Sequence, residues 1–496
     1  MNKDNVRENI ILFSRCELVY LYGEISKYLI KKYNVIHVAY SDKEESILRE
    51  KYSITEIINF RKETQKILTK EKFDSELCNF IDQSIIEQSN NRFNLNSAIQ
   101  YDRTFQNLSY EECLILSQTY YKFWHALISQ KNIKYLLHEL VSLYFNHIAF
   151  IICKNHSAKY IAQIQVYGES TNNFLIVSAD DGISEEINHN KNNQTLSIEE
   201  KNRVNKFLLE FRSDENTFFN SLSTKHNFLN NIKVSSKLAI SVIKNKFLLW
   251  LKNYQLPIDH LEIALFKEVS FVREMKRKWG MFFYLKYDEY NPKLKYYYYP
   301  IHLEPEAVVL YWGDGIYKNQ IKLIENIAAQ LPPDCYLFVK EHPHAGTYRD
   351  LDDYNKIKAI PNIKLLNPKV PGKNITRNSI GVITISGTSG FEALLMNKQV
   401  YTFGNAFYNQ CKRVINVKNI RDLRNILYSN YNTKFKDDDD LYGFVYGYLQ
   451  SAHPGFVNYF LNYNEIMGID DEKNIKMVAD GLNEYFEKCR NEDHGY

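Results

Sequence analysis

Short apolar runs alternate with longer stretches of helical spacing along the first third of this chain. NIILFS (9–14) has the length of a buried strand, VYLYGEISKYLIKKY (19–33) repeats its apolar residues at helical spacing, and NVIHVAY (34–40) is the next strand. A long polar helical stretch fills roughly 60–130. IKYLLHE (133–139) is then a strand end, SLYFNHIAFIICKNHS (142–157) a helix, and KYIAQI (159–164) and NFLIVSADDG (173–182) are strands. From 186 to 299 the pattern turns polar and helical, then basic and aromatic. The α/β rhythm returns from Pro300. AVVLYW (307–312) predicts a strand, NQIKLIENIAAQL (319–331) a helix, and CYLFVKEHP (335–343), IKLLNP (363–368) and IGVITIS (380–386) strands. GFEALLMN (390–397) predicts a helix and VYTFG (400–404) a strand. Such alternation predicts an α/β fold of two Rossmann-like lobes with mostly parallel sheets. The expected division is an N-terminal α/β lobe (1–185), a helical connector (186–299), a second α/β lobe (300–430) and a C-terminal helical tail (431–496). In such sheets ligands lie at the carboxyl ends of the strands.

Composition adds limits. With 496 residues the chain has room for two or three domains, and 45% hydrophobic with 24% charged residues fits a soluble globular protein. A formal charge of +3 gives no argument for nucleic acid. The most apolar stretch, 135–155, carries His138, Glu139, Asn146 and His147, and reads as a core helix rather than a membrane span. Arg15 and Glu17 interrupt the N-terminal apolar run, which reads as a strand entering a helix rather than a signal peptide. The cysteines (16, 78, 113, 153, 335, 411 and 489) contain no CxxC pair, which points to a reducing cytoplasm and away from structural zinc. The 38 tyrosines, with abundant Asn, Lys and Ile, reflect an AT-rich coding bias.

Two stretches carry candidate chemistry. In VKEHP the apolar run stops at Lys340, Glu341, His342 and Pro343. Continued as a strand, Lys340 and His342 share a face and Glu341 takes the other. Two cations at a strand's carboxyl end suit a phosphate, Lys as a point charge and His as a directed donor. A solvated strand end is the plainer alternative. In ITISGTSGFEALL a buried strand runs through Ser386, Gly387, Thr388 and Ser389 straight into a helix, where small residues let backbone N–H groups approach an anion. There is no Gly-Lys-Ser/Thr, so this is not a Walker loop. Ser389 and Glu392 also fit a capping box.

The stretches 298–306, 319–332, 339–354 and 383–408 together resemble the C-terminal domain of bacterial capsule and surface polysaccharide glycosyltransferases, a group that includes Kdo transferases. Their His-Pro and Ser/Thr motifs are similar to those of bacterial sialyltransferases. The resemblance implies a GT-B fold and a nucleotide-sugar co-substrate, CMP-linked, with neither metal nor other cofactor. It implies that Lys340, His342 and Pro343, with Ser386, Gly387, Thr388 and Ser389, meet the nucleotide phosphate. It places Glu392 near the ribose and Gln320 before the first helix of the lobe. His302, Glu306 and Tyr408 become candidate substrate contacts.

That group also carries an acidic pair before a glycine, which Asp180, Asp181 and Gly182 match. One carboxylate would serve as base or nucleophile, with an ordinary Asp-Gly turn as the alternative. His138, beside Glu139 at a strand end, is a further catalytic candidate unless it is only packed. Asp350-Leu351-Asp352 reads as a helix start rather than a metal motif. KDDDD (436–440) reads as a solvated loop. The basic, aromatic stretch 272–299 suits an anionic membrane surface or packing between lobes. The implied partners are a nucleotide sugar and a glycan or glycolipid acceptor, with no nucleic acid, at the inner face of the cytoplasmic membrane. A UDP-sugar enzyme or epimerase, a polyol-phosphate transferase and a non-catalytic assembly protein remain open on the same fold.

Overall fold

The structure is a computed structural model. It describes residues 7–105, 108–169, 172–177, 180–191, 196–213, 284–303, 307–342, 349–431, 433, 435–459 and 468–493. The candidates Glu306 and Pro343, most of the connector and residues 272–283 of the basic stretch therefore lie outside the described residues. Two compact units emerge. One is Met1–Asn192 with Gly447–Tyr496, the other Asn193–Tyr446.

The first unit is built on β1 (Asn9–Ser14), β2 (Asn34–Ala39), β3 (Ile57–Asn59), β4 (Ile133–Leu137), β5 (Lys159–Val166) and β6 (Asn173–Val177). The sheet order is His453–Pro454, β6, β5, β4, β1, β2, β3. Strands β1 to β5 run parallel, and β6 turns back antiparallel on β5. Parallel strands are covered on both faces, which is why these runs are continuously apolar instead of alternating. Ile10, Ile11, Leu12 and Phe13 are all fully buried. The apolar stretch 135–155 divides into the end of β4 and the helix Tyr144–Asn155, buried at ten positions. Among the described residues no helix is long and apolar enough to cross a membrane.

Residues after Gly447 pack with this first unit. His453–Pro454 adds an antiparallel strand to β6. The helix Asp471–Asp493 lays Phe486 on Tyr33 and Tyr135, with ring centroids 5.2 and 4.4 Å apart.

The second unit holds β7 (Tyr296–Pro300), β8 (Tyr336–Lys340), β9 (Ile363–Leu366), β10 (Gly381–Thr384), β11 (Gln399–Thr402) and β12 (Val414–Asn416). They form one parallel sheet in the order β12, β11, β10, β7, β8, β9. Tyr297, Tyr299, Leu337, Val339, Ile383 and Tyr401 join one core cluster with Leu323, Ile324 and Ile327 of the helix Gln320–Gln330. On the other face Tyr296 stacks on Phe338, centroids 3.9 Å apart. The expected α/β class with two Rossmann-like, mostly parallel sheets is borne out.

One strand was assigned wrongly from the sequence. AVVLYW is not a strand: Ala307–Leu310 is a short helix, and the chain then turns through Asp314 and Gly315, both at positive φ. The strand lies earlier, in the tyrosine run YYYYP, and occupies the centre of the sheet. Aromatic residues suit a strand, and a short apolar run such as AVVLYW fits helix or strand equally well.

Candidate functional site

In an open α/β sheet the crevice opens where the strand order reverses. In the second unit this switch point falls between β7 and β10. The carboxyl end of β7 delivers His302, that of β10 delivers Ser386 and Gly387, and neighbouring β8 delivers Lys340, Glu341 and His342. Sequence reasoning named all of these except Glu341 as binding residues.

His302 and Gln320 form the scaffold. The Gln320 amide donates to the His302 carbonyl at 3.0 Å, and its Oε1 accepts from the His302 backbone N–H at 2.8 Å and the Tyr299 hydroxyl at 3.2 Å. His302 Nδ1 lies 3.3 Å from the same Oε1, so Nδ1 carries the proton. Nε2 then accepts from the Thr384 hydroxyl at 3.1 Å, and that hydroxyl oxygen accepts from the Gly387 N–H at 3.3 Å. Burial pushes the imidazole down to about 4, with Gln320 opposing, so the ring is neutral. A Cβ on Gly387 would come 2.8 Å from His302 Nε2. The tyrosine expected to contact substrate, Tyr408, is buried and donates its hydroxyl to the Gly387 carbonyl at 2.7 Å. These contacts fix the loop from both sides.

The helix Thr388–Leu395 starts on this loop. Its N-cap is Gly387, and no side chain caps it. The capping box expected from Ser389 and Glu392 does not form, because Ser389 is already inside the first turn. Ser386 is buried, Ser389 half-buried and Thr388 exposed. An uncapped helix start at a switch point presents N–H groups and a positive dipole end to an anion.

β8 stops at Lys340, two residues short of His342, so the expected strand alternation does not reach the histidine. The His342 backbone N–H donates to Glu341 Oε1 at 2.8 Å. Glu341 is no solvent-facing partner: it is buried in a two-pronged ion pair with Arg349, at 2.9 and 2.8 Å, and accepts from the Tyr354 hydroxyl at 2.8 Å. Arg349 also donates to the His302 carbonyl at 3.0 Å. Both partners of this tie stand in KEHPHAGTYR, eight residues apart, but nothing in that spacing pairs them. Only burial marks it as structural.

Lys340, the last residue of β8, makes a separate contact. Its Nζ reaches the Pro368 carbonyl at 3.4 Å, and burial pushes the ammonium down against the pull of Glu392 and Glu341. Burial pushes the Glu392 carboxyl up to about 7, opposed by Lys373 and Lys340. Lys373, which sequence reasoning missed, is buried in the first turn of the helix Gly372–Asn378 and donates to the Phe211 carbonyl at 3.1 Å.

In the first unit the switch point falls between β1 and β4. There Arg15, after β1, pairs with Glu139, after β4, at 2.6 Å, and both are largely buried. His138 stacks on Phe13 at 4.1 Å and its Nδ1 meets the Phe13 carbonyl at 2.8 Å. Its Nε2 has no hydrogen-bond partner among the described residues and lies 3.8 Å from Glu139. Burial and Arg15 hold this imidazole well below its usual range. Asp180 and Asp181 are not brought to this edge. They follow β6, which runs against the parallel strands, and Asp180 instead meets Arg92 at 3.8 Å. Asp181 accepts the Ile183 N–H at 3.0 Å and Gly182 has φ 67°, the geometry of an Asp-Gly turn. Among the described residues, Lys340, His342 and Ser386 to Ser389 thus end or follow strands at one edge of the second unit's sheet, whereas His138 and the Asp180–Asp181 pair follow strands of opposite direction in the first. Asp350 occupies the N-cap position of the helix Leu351–Lys358, without a side-chain capping bond, and Asp352 sits in its first turn, the helix start that was expected.

Asp180 yields a pH prediction. Burial, then Asp181, pushes its carboxyl up to about 7. The folded state therefore holds this proton more tightly than the unfolded chain, so its contribution is complete below about pH 4 and is lost as pH rises through about 7. In urea denaturation Asp180→Asn is expected to gain stability over the parent at pH 8, with the gain shrinking toward pH 4.

Comparison with known proteins fits the site's location. Residues 261–411 match the family model described as capsule polysaccharide biosynthesis protein. Protein FixF of Sinorhizobium fredii is 33% identical over 98 residues, 20% of this chain, and the match spans only 23% of that relative's own length. Among solved structures, a beta-Kdo 2,4 transferase, KpsC of Thermosulfurimonas dismutans, is 12% identical with a TM-score of 0.36, covering 63% of this chain and 79% of that one. A UDP-GlcNAc 2-epimerase of Neisseria meningitidis bound to UDP-GlcNAc is 10% identical with a TM-score of 0.29, covering 89% and 98%. At these scores neither solved structure carries an inference about activity. The matched segment, residues 261–411, holds β7 to β11 and every nucleotide candidate, and it includes the His-Pro and Ser/Thr stretches that carry the resemblance to capsule polysaccharide glycosyltransferases.

Proposed function

We propose that this protein is a glycosyltransferase of capsule or other surface polysaccharide biosynthesis, taking Kdo or a sialic-acid-like sugar from a CMP-activated donor to a glycan or glycolipid acceptor at the inner face of the cytoplasmic membrane. The observation that carries this reading is the carboxyl edge of the second unit. There an uncapped helix start at the switch point stands beside Lys340 and His342, inside the segment that matches the capsule family.

The chemistry is displacement of CMP from the anomeric carbon. The phosphate gains negative charge as the bond breaks, and backbone N–H groups of the first helical turn, with Lys340 and His342, stabilise it. His302, Gln320 and Tyr408 position the loop without touching the donor. A general base takes the acceptor's proton, and the carboxylates named for that role belong to the first unit. Glu139 stands at that unit's carboxyl edge beside His138, whereas Asp180 and Asp181 sit in a turn after the reversed strand.

Incubation with CMP-Kdo, CMP-N-acetylneuraminic acid and a panel of UDP-sugars tests this reading. CMP release with sugar transferred to membrane glycolipid supports it. Turnover confined to UDP-sugars would move the protein to a UDP-sugar transferase or an epimerase.

A further inference from the structure

Lys340 and Glu392 present an unusual pairing. Each is 8% exposed, and they attract one another, yet no nitrogen–oxygen contact within 4 Å joins them. The Glu392 carboxylate accepts no hydrogen bond from any described residue, and among the described residues the Lys340 ammonium has only the long contact to the Pro368 carbonyl. An isolated buried charge costs heavily, so both groups are held in a state that an incoming charge can change.

The geometry points to the Lys340–Glu392 pair as a proton-linked anion switch: a phosphate arriving at this edge draws a proton into the pair. This rests on the nucleotide-site reading and adds a regulatory property to it. The ionisable groups around the pair are Lys373 from the helix Gly372–Asn378, Tyr298 from β7, and Glu341, itself paired with Arg349. An added negative charge favours the protonated form of every one of them. It favours the ammonium of Lys340, which burial pushes down, and favours the protonated carboxyl of Glu392, which burial pushes up to about 7. Both responses have the same sign, so binding consumes protons and weakens as pH rises above 7. The limit is about tenfold in Kd per pH unit for one linked proton.

The test is calorimetric titration of CMP, UDP, CDP and inorganic pyrophosphate into the full chain at pH 8, in two buffers of different ionisation enthalpy. At this pH a nucleotide monophosphate, with its second pKa near about 6, is already a dianion, so proton uptake reports the protein. The expected result is a binding enthalpy that depends on the buffer, with a Kd that falls from pH 9 to pH 7.5. The doubly conservative variant Lys340→Arg with Glu392→Gln cannot take up this proton and should show no buffer dependence, whatever its affinity. Uptake that persists in this variant assigns the proton elsewhere, for instance to His342, and overturns the inference. Binding with no buffer dependence in the parent protein also overturns it and leaves the nucleotide site intact. Failure of all four probes to bind overturns both readings.

Discussion

Arg349→Met should destabilise the second unit by about 3–5 kcal/mol at pH 8, the cost of leaving one half of a buried ion pair without its partner. Arg349 and Glu341 are 3% and 2% exposed, and the guanidinium meets both carboxylate oxygens. It also ties the β8 end to the β7 end through the His302 carbonyl. Solvent does not screen this pair, so the discount due to surface ion pairs does not apply. Stripped of its cation, Glu341 is pushed further up by burial and takes a proton as pH falls, so the loss should shrink toward pH 5. Adding Glu341→Gln to Arg349→Met should recover most of it, because the amide oxygen still accepts the His342 N–H, the amide nitrogen can donate to the Tyr354 hydroxyl, and no charge stays buried. Chemical denaturation of the three proteins at pH 5 and pH 8 checks this. A loss below about 1 kcal/mol, the range of exposed pairs, would contradict the structure.

Thr384→Val is the second large effect. Its hydroxyl donates to His302 Nε2 and accepts from the Gly387 N–H, and the side chain is fully buried. Valine fills the volume but leaves both neighbours unpaired, at about 1–3 kcal/mol for each group that water cannot reach. The relay also sets where the helix Thr388–Leu395 begins. The variant should therefore lose nucleotide affinity beyond what its stability predicts, measurable at a temperature where it is fully folded. Thr384→Ser, which keeps the hydroxyl, should restore affinity. If serine and valine behave alike, the hydroxyl does not hold the loop.

Much of this was legible in the sequence because parallel strands are short, apolar and regularly separated by helices. The strands NIILFS, NVIHVAY, CYLFVKEHP and IGVITIS lie where the pattern placed them. The failures share a cause. AVVLYW and YYYYP are both short apolar runs, and only tertiary packing decides which becomes a strand. The reversal of β6 is a pairing fact, so the sequence showed SADDG after a strand but not that the strand points away from the carboxyl edge. The packing of Gly447–Tyr496 with the first unit, where a separate tail was expected, is likewise set by distant contacts. At the site, KEHP and SGTSG announced themselves through unusual residues at strand ends. Glu341, Lys373 and Arg349 did not, because a charged residue reads as solvated until its burial is known.

The central claim is that the carboxyl edge of the second unit holds a nucleotide phosphate. Calorimetric titration of CMP, UDP and CDP into the protein and into His342→Ala tests it most directly. The account predicts that CMP binds the parent protein and that the variant loses about tenfold or more in affinity, the worth of one charge-assisted hydrogen bond. No binding of any of the three, or CMP binding unchanged in His342→Ala, would contradict it and leave the His-Pro turn as an ordinary strand end.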